Sequence, residues 1–265
     1  MPPEEFLETG IDFERANAAR MYDYMLGGAH NFEVDRAMVA AAVAANPGIV
    51  TAARANRDFL GRVVQRCVEL GVDQFLDLGS GVPTAGNVHE IAQRHDPHAR
   101  VAYVDFEPVA VAHATELIGG LDTVSITRAD IRDPGSVLRA PGVAGLLDFS
   151  RPVALLAMTI LHFVDDDAAG LLGRYRRALV PGSVVALSHA SDDQDDPAVG
   201  DAMRAGAETY RSSATPITLR SRAELRALLD GLDLAEPGIV DVTDWPGPSA
   251  APPVGGYGAF ATVPG

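Results

Sequence analysis

The stretch Phe75-Leu-Asp-Leu-Gly-Ser-Gly-Val-Pro-Thr84 decides the fold, because a run of apolar residues leads in it to a glycine turn. The run predicts a buried β-strand, and the glycines let a ligand approach the backbone closely. A Gly-x-Gly turn is weak evidence by itself, but two details sharpen it. Thr84 stands where the dinucleotide-binding fingerprint has its third glycine. Asp77, just before the turn, would repel a pyrophosphate but suits a cation.

Short apolar runs alternate with helix-like stretches on the carboxyl side of this turn. We expect strands over residues 75–78, 101–104, 124–127, 153–158 and 184–188. Helical spacing lies between them, over residues 88–95, 109–118 and 168–179. This alternation is typical of βαβ units and predicts a parallel sheet.

The two ends of the chain follow other patterns. Residues 12–70 show helical spacing broken at Pro47-Gly48, and no strand pattern precedes residue 74. After the fifth strand, an acid-rich loop over 191–197 leads to helices over 198–210 and 221–229, the second with a capping box of Ser221 and Glu224. Candidate strands near 239–242 and 257–263 predict a hairpin at the sheet edge. We therefore expect an N-terminal helical extension over residues 1–72 and a core over 73–265.

Composition limits the class of protein. With 47% hydrophobic and 22% charged residues in 265, the chain is globular. A net charge of −15 argues against a nucleic-acid partner. The single cysteine, Cys67, lies on the apolar face of a predicted helix and is interpreted as a buried structural thiol. Because no signal sequence or membrane-spanning run is present, we expect a cytoplasmic protein with no membrane partner.

Acidic residues also follow the second and third predicted strands. Asp105 comes 24 positions after Gly81, near the spacing of a group that holds ribose hydroxyls, with Glu107 as the alternative if the strand ends later. Asp130 and Ile131 follow the third strand, where a carboxylate and an apolar side chain suit an adenine amino group and ring face. Three neighbouring strands thus end in acids, which favours a cationic nucleoside over a phosphate-bearing one.

Structural roles remain open for several of these residues. Asp77 could cap the turn, the glycines could serve packing alone, and Asp130 could begin a helix. His89, His95 and His113 are scattered along the chain, which argues against a metal site. An NAD-dependent oxidoreductase and a non-catalytic metabolite-binding protein are the two functional alternatives.

Motifs over residues 74–188 resemble those of class I S-adenosylmethionine-dependent methyltransferases: Asp77-Leu-Gly-Ser-Gly81, Asp105, Asp130, the run Leu155–Val164, and Leu179-Val-Pro-Gly-Ser183. More narrowly, the stretches Ala19–Phe32 and Ala52–Leu60 resemble a family of actinobacterial S-adenosyl methyltransferases long classed as a domain of unknown function. The resemblance implies S-adenosyl-L-methionine as cofactor and a Rossmann-like, doubly wound, mostly parallel seven-stranded α/β sheet. Its strand order would be 3-2-1-4-5-7-6, with the last strand antiparallel. The acceptor remains undefined.

The same resemblance implies roles for individual residues. It assigns Gly79, Ser80 and Gly81 to the methionine part of the cofactor, Asp105 to the ribose, Asp130 and Ile131 to adenine, and Met158 and Thr159 to the sulfonium. Phe106 occupies a position that is often polar in such enzymes and could stack under adenine. This departure leaves the choice between Asp105 and Glu107 open.

The remaining candidates lie near the expected methyl group. The segment from Tyr22 to Asn31, a helix followed by two glycines, either packs on the sheet edge or closes as a lid through Tyr22, His30 and Asn31. His162, just past the fourth strand, is the candidate general base, and lining the pocket is its alternative role. His189 follows the fifth strand. One arginine among Arg20, Arg36, Arg54 and Arg57 could receive the methionine carboxylate. We expect a small-molecule acceptor, and the sequence does not indicate an oligomeric state.

Overall fold

A computed structural model describes residues 10–83, 86–165 and 167–265, so Thr84 of the glycine stretch lies outside the described residues. Within these described residues, three helices precede the sheet: α1 (Ala18–Met25), α2 (Glu33–Ala45) and α3 (Ile49–Glu69). The side chain of Asn17 caps α1 by accepting a hydrogen bond from the Ala19 amide. The break between α2 and α3 falls at the predicted Pro47-Gly48 pair.

The described residues form one mixed sheet, and its strand order confirms the predicted fold. Its strands are β1 (Gln74–Leu78), β2 (Arg100–Asp105), β3 (Val124–Arg128), β4 (Ala154–Met158), β5 (Val184–Ala190), β6 (Asp233–Leu234), β7 (Val240–Asp241) and β8 (Gly256–Thr262). They run in the order β3-β2-β1-β4-β5-β8-β6, with β7 also paired to β8. The first five are parallel, and β8 is antiparallel to β5.

The sheet edge differs from the prediction by one short strand. The expected hairpin of residues 239–242 with 257–263 is present as β7 and β8. In addition, Asp233 and Leu234 pair with Thr262 and Ala261 as β6, which follows the turn at Gly231 (φ 71°). A two-residue strand carries no periodic pattern, so the sequence did not indicate it.

Helices cover both faces of this sheet. They are α4 (Val88–His95), α5 (Pro108–Leu117), α6 (Pro134–Arg139), α7 (Pro141–Ala144), α8 (Ala168–Arg176), α9 (Pro197–Thr209) and α10 (Arg222–Leu228). The short helices α6 and α7 were not predicted. Each has a proline in its first turn, a position that favours helix initiation. The capping box of Ser221 and Glu224 begins α10 as predicted.

Apolar residues pack on both faces of the central strands. In β1, Leu76 and Leu78 belong to one cluster, and Phe75 belongs to the cluster that α3 covers. Cys67 lies fully buried in that second cluster, and burial raises the pKa of its thiol. This confirms the prediction of a buried thiol. Because strands β1, β2, β4 and β5 are held rigidly by this packing, their carboxyl ends can position a site.

None of the described helices is long and apolar enough by itself to cross a bilayer. Helices α2 and α3 pass the length and composition test only as a pair, with a bend of 103° between them.

Candidate active site

The carboxyl ends of β1, β2, β4 and β5 open into one chamber. Its empty space, including the solvent in the open mouth, is about 1450 Å³. Helices α1, α3 and α9 contribute the remaining walls. The chamber therefore lies where sheets of this kind bind their ligands, outside the carboxyl ends of the strands.

The glycine turn forms the floor of the chamber. Gly79 and Gly81 have φ of 70° and 67°, a region that glycine adopts without strain. A Cβ atom at Gly79 would lie 2.3 Å from Ile160 Cδ1, whereas a Cβ at Gly81 would meet nothing within 4 Å. Between them, the Ser80 hydroxyl is buried and lacks a hydrogen-bond partner among the described residues. The turn thus offers open space and an unsatisfied polar atom to a ligand.

Replacing Gly79 by alanine tests the need for this turn. The new methyl group would sit in an unfavourable backbone region and against Ile160, so we expect a loss of about 1–3 kcal/mol in unfolding free energy and weaker cofactor binding. Gly120→Ala is the matched control, because Gly120 also has positive φ (87°) but has open space around its Cβ position and lies away from the chamber. Urea unfolding and ligand titration of both variants measure the effect. Equal affinity in the two variants would show that the turn does not position the ligand.

Three buried acids surround the turn: Asp77, Asp105 and Glu107. Asp105 Oδ2 accepts a hydrogen bond from the Gly81 amide (2.7 Å), and its Oδ1 accepts one from the Glu107 amide (2.8 Å). Asp105 therefore ties the glycine turn to the end of β2. Burial raises the pKa of all three carboxyl groups, and that of Asp77 to about 7. A bound cation would favour their charged forms.

Arg20 connects one of these acids to the N-terminal helices. Its fully buried guanidinium donates to Glu107 Oε1 (2.9 Å) and Asp35 Oδ2 (2.8 Å) and lies over the Phe32 ring. Asp35 also accepts hydrogen bonds from the amides of Asn17 and Phe32. Glu107 thus has a cationic partner, whereas Asp105 has none among the described residues. Asp105 is the carboxylate with uncompensated charge.

The tips of β4 and β5 are joined by a chain of hydrogen bonds. The Thr159 amide donates to the carbonyl and hydroxyl oxygens of Ser188, both at 3.0 Å. The Ser188 hydroxyl donates to Asn56 Oδ1, and Asn56 Nδ2 donates to the Tyr22 hydroxyl (2.9 Å). Thr159 has a φ of 49°, which is rare for a β-branched residue and common at functional sites. The chain fixes this backbone beside Met158, which also lines the chamber.

Two histidines lie at the β4 and β5 end. His189 has a fixed tautomer, because its Nδ1 donates to the Ala190 carbonyl (2.7 Å) and its Nε2 accepts from Arg220 (2.9 Å). Burial lowers the pKa of His189 to about 4. His162 lines the same wall, and its buried Nδ1 has no hydrogen-bond partner among the described residues. Burial, together with His189 and Arg220, lowers its pKa well below the ordinary value, so the ring is neutral.

The four candidate arginines occupy different places. Arg57 lines the chamber at the glycine turn, and its charge opposes the effect of burial on Asp77. Arg20 is held in the buried ion pairs described above. Arg36 donates to the side chain of Asn31, and Arg54 is exposed. Of these four arginines, Arg57 is the one that lines the chamber.

Most of the predicted site residues are brought together, and three are not. The chamber wall includes Tyr22, Asp77, Gly79, Ser80, Gly81, Asp105, Phe106, Glu107, Met158, Thr159 and His162. Asn31 lies outside it and donates to Asp23 and to the Gly28 carbonyl. Asp130 is half-exposed and paired with Arg132, while Ile131 packs in the core. The helix cap predicted near Asp130 is instead formed by Asp133.

Sequence reasoning missed several residues of the wall. Asn56 lies within the stretch Ala52–Leu60 that carries the family resemblance, which was the available signal. Ser188 is the last residue of a predicted strand and had no distinguishing feature. The wall formed by α9 and the segment after it was also missed, because side chains from this insertion meet the sheet only through the tertiary fold.

Comparison with known proteins gives consistent matches. A family model described as S-adenosyl methyltransferase matches residues 4–262. A DUF574-family protein from Streptomyces avermitilis MA-4680 is 37% identical, with a TM-score of 0.88 over 96% of this chain and 99% of that chain. A candidate methyltransferase from Thermobifida fusca YX is 35% identical, with a TM-score of 0.90 over 100% of this chain and 99% of that chain.

More distant structures share the fold alone. The mitomycin 7-O-methyltransferase MmcR is 19% identical, with a TM-score of 0.53 over 78% of this chain and 53% of that chain. No match was found among curated proteins. The comparisons give no support to the oxidoreductase alternative.

Proposed function

This chain belongs to the S-adenosyl methyltransferase family, and from that premise we propose that it methylates a small molecule held in the chamber. The enzyme is an S-adenosylmethionine-dependent methyltransferase. The observation that carries the proposal is the convergence of the glycine turn, three buried acids and His162 on one chamber. Cofactor groups and acceptor groups therefore share a single enclosed space.

The residues at the turn fit the cofactor chemically. Buried polar atoms are normally hydrogen-bonded, so the unpartnered Ser80 hydroxyl suits a ligand donor or acceptor. The buried carboxyl of Asp77 suits a positively charged group, and Arg57 suits the carboxylate of the methionine part. Open space above Gly81 lets that part approach the backbone.

We assign the nucleoside to the β2 side of the chamber. Asp105 holds the ribose hydroxyls, because its buried carboxylate lines the chamber and keeps acceptor capacity beyond the backbone hydrogen bonds that it accepts. Glu107, neutralised by Arg20, supports the same edge. The half-exposed Phe106 lies at the lip, where its ring can stack on adenine. The adenine contacts of Asp130 and Ile131 at the tip of β3 stay a prediction.

The N-terminal helices complete the site in this proposal. Residues 1–72 act as an extension that closes over the core of residues 73–265, because α1 and α3 place Tyr22, Met25 and Asn56 in the chamber wall. Asn31 stabilises the position of α1 by donating a hydrogen bond to Asp23 from outside the chamber wall. The extension thus supports the cofactor pocket while its helices exclude water from the reacting groups.

The mechanism follows from what these residues hold in place. The bound cofactor supplies an electrophilic methyl group on a positively charged sulfur. Met158 and the strained backbone of Thr159 line the chamber at the tip of β4, where they would position the sulfur of the bound cofactor. Holding two reactants in attack geometry contributes roughly 7–11 kcal/mol. His162 lies in the short helical turn that follows β4, and it is the group available to accept a proton from the acceptor.

Equilibrium binding tests the proposal. In a titration calorimeter, the purified chain should bind S-adenosylmethionine and its demethylated product at one site. We expect NAD to bind at least about 100-fold more weakly, a difference of about 2.7 kcal/mol. Tighter binding of NAD than of S-adenosylmethionine would overturn the proposal.

Cofactor affinity should depend on pH through Asp77. Burial raises the pKa of Asp77 to about 7, so the carboxyl is largely protonated below that pH. A cation binds the ionised form more strongly, which means that affinity should rise as pH increases from 5.5 through 7 and level off about one pH unit above the pKa. Asp77→Asn should bind more weakly at pH 8 and lose this rise. Titrations of both proteins across this range measure it, and an identical slope in the variant would rule out Asp77 as the titrating group.

A further inference from the structure

The chamber has two chemically different halves. Its charged lining residues in the described ranges are Arg57, Asp77, Asp105 and Glu107, and all four lie at α3, β1 or the end of β2. The other half lies at the tips of β4 and β5 and under α9. In the sheet, β5 lies two strand spacings of about 4.8 Å from β1 and three from β2. A ligand group at the tip of β5 and under α9 is therefore roughly 10 Å from the nearest strand that carries an acid.

Apolar side chains dominate the second half, which we call the acceptor half. Its wall is built by Met25, Ile49, Met203, Ala207, Ile217 and Leu219. Tyr210 and Phe163 add aromatic surface to it. Burying a charged ligand against such a wall would be costly without a partner of opposite charge. Within the described residues, this wall provides no such partner.

The polar atoms of the acceptor half are neutral. Both histidines are uncharged, as shown above, and His189 is already saturated by the Ala190 carbonyl and Arg220. Arg220 is itself occupied, since it also donates to the carbonyls of Leu161 and Val164, and it is not part of the wall. His162 differs from His189, because it is 5% exposed and its Nδ1 has no hydrogen-bond partner among the described residues. It is a polar group placed to bind the acceptor.

We infer that the methyl acceptor is an uncharged, largely apolar molecule carrying a phenolic or enolic hydroxyl, and that His162 accepts the proton of that hydroxyl during transfer. This inference rests on the proposed function and defines its substrate class. An amine or carboxylate acceptor would be charged near neutral pH and would lack a partner in the acceptor half. An aliphatic hydroxyl is a far weaker acid than a phenol, so a neutral imidazole would deprotonate it much less readily.

The step balances as a simple displacement. The hydroxyl oxygen forms a bond to the methyl carbon as the carbon–sulfur bond breaks, and the electron pair of that bond stays on sulfur. The hydroxyl proton passes to a ring nitrogen of His162, which later releases it to water. The products are a methyl ether and the demethylated cofactor.

The binding test uses aromatic frames that differ only in charge. One-, two- and three-ring compounds, each as the hydroxyl, carboxylate and aminomethyl form (phenol, 2-naphthol and 2-anthrol with their analogues), are titrated into the full chain saturated with S-adenosylhomocysteine. We expect at least one hydroxyl compound to bind at least about tenfold more tightly than its two charged analogues. Preferential binding of a charged form, or no hydroxyl binding by a chain that binds S-adenosylhomocysteine, would overturn the inference. A chain that does not bind S-adenosylhomocysteine would instead contradict the proposed function.

The proton-transfer test uses the best hydroxyl compound and S-adenosylmethionine labelled in its methyl group. His162→Gln keeps a hydrogen-bonding side chain and should still bind the compound, but at saturating compound it should transfer the label roughly 10²–10⁴-fold more slowly at pH 7. Its rate should then rise with pH as the compound ionises in solution, whereas the natural chain should show little change between pH 7 and 9. His95→Gln, on an exposed histidine outside the chamber, is the control and should match the natural chain. Normal transfer by His162→Gln with an unchanged pH profile, or no transfer of label by the natural chain to a hydroxyl compound it binds, would overturn the inference.

Discussion

Asp105→Ala is expected to weaken binding of S-adenosylmethionine by about 100-fold or more. The carboxylate accepts hydrogen bonds from the Gly81 and Glu107 amides, so its removal releases the glycine turn from β2 as well as removing the proposed ribose partner. Hydrogen bonds to a charged group each contribute roughly 1.5–3 kcal/mol. Two such losses are enough for the predicted change. Titration calorimetry with the purified variant measures it.

Two controls separate this effect from charge and from misfolding. Asp122→Ala removes the same charge from an exposed position outside the chamber, and its affinity should remain near that of the natural chain. Asp105→Asn keeps an oxygen acceptor of the same shape and should lose less affinity than Asp105→Ala. Far-ultraviolet circular dichroism checks that each variant is folded. Unchanged affinity in a folded Asp105→Ala protein would remove Asp105 from the site.

Arg20→Ala should lower the unfolding free energy by about 3–5 kcal/mol, the cost of breaking a buried ion pair from one side. The substitution leaves Asp35 and Glu107 buried without their cation. Arg54→Ala, at an exposed position on α3, should change stability by less than about 0.5 kcal/mol. Urea unfolding of the three proteins gives the comparison. A loss below about 1 kcal/mol for Arg20→Ala would show that the buried network is not needed for folding.

The stability loss in Arg20→Ala should grow with pH. Burial already raises the pKa of Glu107, and Arg20 opposes that rise, so the variant should have a still higher pKa there. A carboxyl with a raised pKa in the folded state binds more protons folded than unfolded, which means that stability falls as pH rises through that range. The difference from the natural chain should therefore be smaller at pH 5 than at pH 8. A difference independent of pH would argue against a charged Glu107.

Local patterns in the sequence were enough to predict the sheet and the acidic half of the chamber. The apolar run before Gly79 and the alternation of strands and helices determine β1 to β5, because each signal lies within a few consecutive residues. Asp77 and Asp105 could be predicted as site residues because each lies at the carboxyl end of a predicted strand. Elements such as β6, α6 and α7 are too short for an apolar spacing to repeat within them, so no periodic pattern indicates them.

Contacts between distant parts of the chain could not be predicted in the same way. Ser188 and Asn56 are 132 positions apart, and Arg20 and Glu107 are 87 apart, yet both pairs hold the chamber together. No local pattern distinguishes these residues from ordinary polar positions on a helix or strand. Asn31 shows the opposite failure. It was predicted as a site residue from a conspicuous sequence motif, but its side chain lies outside the chamber wall and binds Asp23.

A crystal structure of the complex with S-adenosylhomocysteine measures most directly whether the buried acids on neighbouring strands hold the nucleoside of the cofactor. The ribose hydroxyls should lie within hydrogen-bond distance of Asp105 or Glu107, and the amino-acid part should lie on the turn from Gly79 to Gly81. The sulfur should lie beside Met158 and Thr159 and face the acceptor half. A nucleoside bound away from both acids, or an amino-acid part that does not touch the glycine turn, would contradict the proposed site.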